Sequence, residues 1–157
     1  GQEVINICHA LKEIATKHSD IEIVYPVHLN PNVRKPVYSL LSDINNIKLI
    51  EPLNYEPFIY LMDKSHFIIS DSGGIQEEAP SLGKPALVTR NTTERPEAVD
   101  VGAVKLVGTD CDAIVREAEK LLRDNESCAR MSKLQNPYGD GHACTRIISA
   151  IEKFFAP

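Results

Sequence analysis

The chain has 157 residues, the size of one domain that buries its own core, and a formal net charge of −5 with no basic stripe, which argues against a nucleic-acid partner. Hydrophobic residues make up 43% and charged residues 25%, as in an ordinary globular protein, and no apolar run reaches the length of a membrane span. No charged-then-apolar signal segment opens the sequence, and the four cysteines (Cys8, Cys111, Cys128, Cys144) form no CxxC pair. Free thiols in a reducing cytoplasm are therefore expected, rather than a zinc site or disulfides. Cys111 stands near a predicted helix start, which predicts a lowered pKa for its thiol. A single nucleotide ligand stays compatible with the acidic balance, because one anion needs local donors and not a basic field.

In chain order, Val4, Ile7, Cys8, Leu11, Ile14 and Ala15 recur at helical spacing and predict an opening helix. An apolar run over residues 21–25, ended by Pro26, predicts a strand. Asn30-Pro31 predicts a loop, and a helix follows over 36–42 with Pro36 in its first turn. The next strand covers 47–50. Pro57 starts a helix through Asp63, and residues 66–70 form a strand. Residues 71–74, Asp-Ser-Gly-Gly, make a tight turn into a helix that runs towards Gly83. A strand over 86–89, a polar loop over 90–95, a short helix over 96–101 and a strand over 104–107 come next. An amphipathic helix over 110–123 carries Ile114, Ala118, Leu121 and Leu122 on one face. Helices over 126–134 and 142–155 close the chain, separated by the Pro- and Gly-bearing segment 136–141. His9, His18 and His66 are expected on helix or strand surfaces, and His142 at the start of the last helix.

Strands that alternate with helices, and strand runs that are apolar throughout, predict a parallel sheet covered on both faces. A doubly wound domain has a strand before its first helix. None precedes the first helix here, so the sequence reads as cut at its start.

The segment HFIISDSGGIQEEAPSLG carries the sharpest local signal. It reads strand, Gly-rich turn, helix. The first N–H groups of a helix have no internal partner, the helix dipole adds positive charge there, and glycine lets a ligand approach the backbone. Together these suit a phosphate, with the Ser72 hydroxyl as a further donor. Ligands of such sheets bind beyond the carboxyl ends of strands, where this turn lies. Glu78 stands one turn after Gly74, and its side chain leans back towards the turn, where it can accept from a sugar's hydroxyl pair. The spacing alone is equally compatible with a plain strand-to-helix turn and a solvated Glu78. No lysine follows the glycines, so this is not a Walker loop, and it is not GxGxxG.

DSGGIQEEAPSLGKPALV, TTERPEAV, YPVHLNPNVRKPV and NPYGDGHA together resemble the non-hydrolysing UDP-N-acetylglucosamine 2-epimerases, in matching order over nearly the whole chain. The resemblance implies an α/β, Rossmann-like doubly wound domain. It would be one half of a two-domain glycosyltransferase-B-type architecture, with residues 1–157 as the C-terminal, UDP-binding half. By position, Phe58 resembles the residue lining the uracil pocket, and Ser72, Gly73 and Gly74 match the diphosphate turn. Glu78 matches the ribose-binding carboxylate and Arg95 an arginine that reaches the nucleotide. Leu53 stands beside the base where relatives can carry Gln, which preserves at most a backbone contact. His28 matches a histidine that contacts a second, activating UDP-N-acetylglucosamine; a histidine bonded to its own loop backbone is the competing reading. Phe58 likewise has a competing reading, as a core aromatic.

The family eliminates UDP from its substrate and adds it back with carbon 2 inverted, interconverting UDP-N-acetylglucosamine and UDP-N-acetylmannosamine. The resemblance implies no metal or redox cofactor. It places the proton-transfer residues in an N-terminal domain and in a segment before the first helix, both outside this sequence, so no catalytic residue is assigned in it. The last helix, within 141–157, carries Ile147, Ile148, Ile151, Phe154 and Phe155 as an apolar stripe suited to packing on the missing domain. A homodimeric parent and a role in surface polysaccharide synthesis are further implications. The alternatives are a two-domain glycosyltransferase, a non-catalytic nucleotide-sugar module, and a hydrolysing epimerase.

Overall fold

The computed structural model describes residues 1–134 and 136–155. Its elements run α1 (Gln2–Lys17), β1 (Ile23–Pro26), α2 (Pro31–Leu41), β2 (Ile47–Ile50), α3 (Tyr55–Lys64), β3 (Ile68–Ser70) and α4 (Gly73–Ser81). They continue with β4 (Ala86–Val88), α5 (Pro96–Asp100), β5 (Val104–Leu106), α6 (Cys111–Arg123), α7 (Asn125–Ser132) and α8 (Ala143–Phe155). Every strand pairing is parallel: β1 with β2, and β3–β4–β5 in that order. No ladder joins the two groups among the described residues.

Helices cover both faces, and β4 shows why its sequence is apolar throughout. Leu87 points into a cluster with Ala10 and Ile14 of α1 and Ile114, Ala118 and Leu121 of α6. Its neighbours Ala86 and Val88 point the opposite way, to Met62 of α3, Ile75 and Ala79 of α4 and Ala98 of α5. Period-2 alternation thus buries both faces of one strand. A third cluster lies between α1, α2, β1 and β2, around Cys8, Leu11, Val37, Leu41 and Ile47. The α1 helix spans the first and third clusters.

The amphipathic stretch over 110–123 folds as read. Asp110 caps α6 by accepting from the Ala113 N–H at 2.9 Å, and Ile114, Val115, Ala118 and Leu121 are buried. Each large apolar side chain buried in this way contributes about 1.5–3 kcal/mol. The margin of the same face carries Glu117, a buried carboxylate that pairs with Lys105 at 2.6 Å and Lys120 at 3.1 Å.

Three expectations are corrected. Asn30-Pro31 does not make a loop: the Asn30 side chain accepts from the Asn32 N–H at 2.9 Å and caps α2, and Pro31 takes the first helical position, where its missing N–H costs nothing. Pro36 consequently lies inside the helix and not in its first turn. His18 is half-buried rather than on the surface, its Nε2 buried without a hydrogen-bond partner among the described residues, whereas His66 is exposed as expected, with its Nε2 3.1 Å from the Leu121 carbonyl oxygen. Cys111 does not gain acidity from its place in the first turn of α6. Burial raises its pKa, and the carboxylates of Glu13, Asp112 and Asp110 raise it further.

At the other end of the chain, α8 buries none of its side chains. Ile147, Ile148 and Ile151 are more than half exposed, Phe154 81% and Phe155 76%. No other described element covers this apolar stripe.

Candidate functional site

Four of the expected residues or segments follow the carboxyl ends of strands: His28 after β1, Leu53 after β2, the 71–74 turn after β3, and Arg95 in the loop after β4. The turn is the best-defined of them. Gly73 opens α4 and Ser72 is its N-cap residue, but the Ser72 side chain makes no capping bond. The N–H groups of Gly73, Gly74 and Ile75 take no acceptor elsewhere among the described residues. By contrast, α2, α6 and α7 are capped by the side chains of Asn30, Asp110 and Asp124. Ser72 is held from behind, its N–H donating to the Ser70 hydroxyl at 3.1 Å. Neither glycine has a positive φ, so neither is needed for backbone strain. Their use is space: a Cβ at Gly73 would meet nothing within 4 Å, and one at Gly74 only the Ser72 Oγ at 3.8 Å. The first turn of α4 therefore presents three free donors on a surface clear of side chains, the arrangement that binds an anion.

Arg95 is brought to this turn by contacts that spacing did not reveal. Gln76, fully buried on α4, accepts through Oε1 from the Thr93 hydroxyl, and its Nε2 lies 3.5 Å from the Ser72 carbonyl oxygen. The Thr93 hydroxyl oxygen in turn accepts from the Arg95 N–H at 2.9 Å. Glu77 pairs with the Arg95 Nε, and the Arg95 Nη1 donates to the Glu94 carbonyl oxygen at 3.3 Å, which leaves Nη2 for a further acceptor. Glu77, first by this hydrogen bond and then by its charge, raises the guanidinium's pKa. Tyr138, in the NPYGDG segment, closes the far side. Its hydroxyl accepts from the Ala98 N–H at 3.3 Å and donates to the Arg95 carbonyl oxygen at 3.4 Å. Sequence reading missed Gln76, Glu77 and Tyr138 as members of this network. The only signal was that all three sit in the motif strings.

The remaining expected residues are placed as follows. Glu78 is half-buried on α4 and makes no side-chain hydrogen bond among the described residues. Phe58 is half-buried on α3 and packs against the cluster that holds Ile75, one residue past the turn. Leu53 is 38% exposed, with no contact that ties it to the turn. His28 is exposed, and its Nδ1 accepts from the Asn30 N–H at 3.1 Å, so the loop-bonded state is present. That bond leaves Nε2 directed elsewhere.

A groove of about 560 Å³ lies between α1 and α6, away from all of these residues. Its walls are ion pairs, Lys17 with Glu13 at 2.7 Å and with Glu119 at 3.1 Å, and Arg123 with Glu119 at 3.4 Å. This is a solvated helix face whose charges satisfy one another. Among the described residues no group of three or more His, Cys, Asp or Glu could hold a metal ion, and no helix is long and apolar enough to cross a membrane.

The chain resembles known proteins along almost its whole length. It is 64% identical over 156 residues to a Ralstonia nicotianae relative, covering 99% of this chain and 42% of that protein. It is 63% identical over 153 residues to the UDP-N-acetylglucosamine 2-epimerase of Campylobacter jejuni, covering 98% and 40%. The crystal structure of the Neisseria meningitidis UDP-GlcNAc 2-epimerase bound to UDP-GlcNAc superimposes with a TM-score of 0.92 at 52% identity, covering 98% of this chain and 41% of that one. The chain thus spans about two fifths of the length of these relatives, and its Rossmann-like doubly wound fold is theirs. The family model for UDP-N-acetylglucosamine 2-epimerase matches residues 1–152, and the chain belongs to that family.

Proposed function

We propose that this chain is the UDP-holding half of an enzyme that interconverts UDP-N-acetylglucosamine and UDP-N-acetylmannosamine. The observation that carries the reading is the uncapped first turn of α4, with three free N–H donors and a guanidinium tethered beside it, in a chain of this family. The diphosphate lies on the N–H groups of Gly73, Gly74 and Ile75 and on the Ser72 hydroxyl. Arg95 supplies a positive charge through Nη2. Glu78, free of protein partners, accepts from the ribose hydroxyls. Phe58 lines the uracil, with the Leu53 backbone beside it. His28 meets a second nucleotide-sugar molecule through Nε2.

In elimination the diphosphate gains negative charge as its bond to the sugar breaks. Donors fixed in advance at that position stabilise the transition state more than the ground state, an effect that reaches a few kcal/mol per donor. The same contacts hold UDP in place for re-addition. Proton transfer at carbon 2 belongs to the remainder of the parent, so the chain alone lacks epimerase activity. In the parent, α8 packs its apolar stripe on the other domain. The parent is a cytoplasmic homodimer; the four free thiols are in keeping with that compartment.

The test uses the full-length parent with UDP-N-acetylglucosamine as sole substrate, followed by proton NMR. Formation of the 2-epimer with no acceptor present supports the reading; transfer only to an added acceptor makes it a glycosyltransferase. A UDP titration of the parent, with ADP as control, probes the binding roles. Saturable amide shifts over residues 72–78 and at Arg95 are expected with UDP, and their absence at millimolar UDP refutes the assigned site.

A further inference from the structure

Arg95 stands at the start of α5, and α5 is too short to fix that start by itself. It spans five residues, little more than one turn, so it carries the nucleation cost of a helix with few bonds in return. Arg95 is its N-cap residue but makes no side-chain capping bond, and Pro96 has no N–H to donate. The Ala98 N–H, one of the donors that a helix start leaves free, is taken by the Tyr138 hydroxyl at 3.3 Å. The same hydroxyl donates to the Arg95 carbonyl oxygen at 3.4 Å. A side chain 40 positions from Ala98 therefore closes the first turn of α5.

Tyr138 is itself held. The Asn136 Oδ1 accepts from the Tyr138 N–H at 3.0 Å, and the Asn136 Nδ2 donates to the Ser81 hydroxyl at 2.8 Å. Ser81 is the last residue of α4, the helix whose first turn is uncapped, and its hydroxyl donates to the Glu77 carbonyl oxygen at 3.1 Å. The Tyr138 ring packs on the cluster that contains Ile75, Ala79 and Ala98. Burial, with the charges of Glu97 and Glu77, raises the phenol's pKa against the bond from Ala98. The hydroxyl thus keeps the proton it donates to Arg95 throughout the neutral range. Arg95 is gripped from two sides: α4 holds its N–H through Thr93 and its Nε through Glu77, and Tyr138 holds its carbonyl oxygen.

We propose that Tyr138, anchored by Asn136, is a positioning residue of the nucleotide site: it fixes where α5 begins and so where the Arg95 guanidinium stands against the first turn of α4. Tyr138 meets no ligand and acts through Arg95. That the guanidinium meets a diphosphate there rests on the UDP reading; its placement does not. A charge on a long side chain is delivered to one point only when the backbone that carries it is fixed. Without the Tyr138 hydroxyl, Thr93 still ties the Arg95 N–H to α4, but the start of α5 is free to fray. The two bonds are at the long end of the hydrogen-bond range, so their joint loss is expected to matter about three- to tenfold and not a hundredfold.

The test uses Tyr138→Phe, which keeps the packed ring and removes both bonds, in the full-length parent. Without ligand, the Arg95 amide, whose acceptor is Thr93, is expected to exchange with solvent about three- to tenfold faster relative to the Leu87 amide of β4. An unchanged ratio overturns the proposal, and so does equal acceleration at both amides, which makes Tyr138 a support of the domain at large. Asn136→Ala is expected to move the same ratio in the same direction; no change there overturns the anchoring. UDP calorimetry then runs over the cycle of Tyr138→Phe, Arg95→Ala and the double variant. Tyr138→Phe is expected to weaken UDP about three- to tenfold beside Arg95 and less than about twofold in the Arg95→Ala background. Equal weakening in both backgrounds overturns action through Arg95. If the unaltered parent takes up no UDP, or Arg95→Ala binds it as tightly, the nucleotide reading of Arg95 fails instead, and the ligand-free exchange still decides the placement.

Discussion

Replacing Gly73 and Gly74 by alanine adds two methyl groups at the start of α4, and the structure assigns opposite signs to their effects on folding and on binding. Neither glycine has a positive φ, and the added carbons meet nothing nearer than the Ser72 Oγ at 3.8 Å. Alanine therefore fits without strain and restricts the unfolded chain, which stabilises by about 0.4–1 kcal/mol per site. Taking about 1 kcal/mol for the pair, the thermal midpoint of a domain this size rises by roughly 2–4 °C. The same open space is where the diphosphate must come within hydrogen-bond reach of the backbone. A methyl group there holds the phosphate oxygens off one or two N–H donors. Each charge-assisted bond lost is worth about 1.5–3 kcal/mol, so UDP binds roughly ten- to a hundredfold more weakly. Thermal unfolding and UDP calorimetry on the same variant read both signs. A raised midpoint with unchanged UDP affinity refutes ligand approach at this turn. A lowered midpoint refutes the local geometry.

Gln76→Met keeps the volume of a fully buried side chain but leaves the Thr93 hydroxyl without its acceptor. It is expected to cost roughly 1–3 kcal/mol in urea unfolding and to weaken UDP binding through a loosened Arg95 loop; unchanged affinity makes Gln76 a core residue only. Glu117 supplies a pH dependence. Burial opposes its ionisation, yet Lys105 and Lys120 prevail and hold its pKa below the usual glutamate value. Its contribution is therefore present at neutral pH and is lost as pH falls below about 4.3 through the lower folded-state pKa. Glu117→Gln is expected to flatten the acid limb of the stability curve, and an equal slope in both proteins contradicts the pairing. Ile151→Ser with Phe154→Ser is expected to leave the stability of this chain within about 0.5 kcal/mol of the wild type, because α8 buries nothing; in the parent the same pair should loosen the contact between domains, read by limited proteolysis.

Five strands and eight helices could be read from the sequence because local rules govern them. Apolar runs of strand length, helical spacing in α1 and α6, and the polar breaks between them survive into the fold. Errors arose where one residue pair supports two local structures. Asn-Pro is both a turn signal and a helix start, and only the bond from the Asn32 N–H to the Asn30 side chain decides between them. Cys111 failed similarly: a position in the first turn lowers a thiol pKa, but burial and three carboxylates, one of them on α1, raise it.

Taken alone, the sequence determined the fold class, the glycine turn between β3 and α4, and the family. Each is written in short contiguous strings whose physics is local, such as a strand, a bare turn and a helix N-terminus. The tertiary structure decided which distant side chains serve that turn. Gln76 reaches Thr93 across 17 positions and Tyr138 reaches the Arg95 carbonyl across 43. Such contacts depend on which elements pack together, and packing follows the total burial of apolar surface, which is non-directional and is summed over the whole chain.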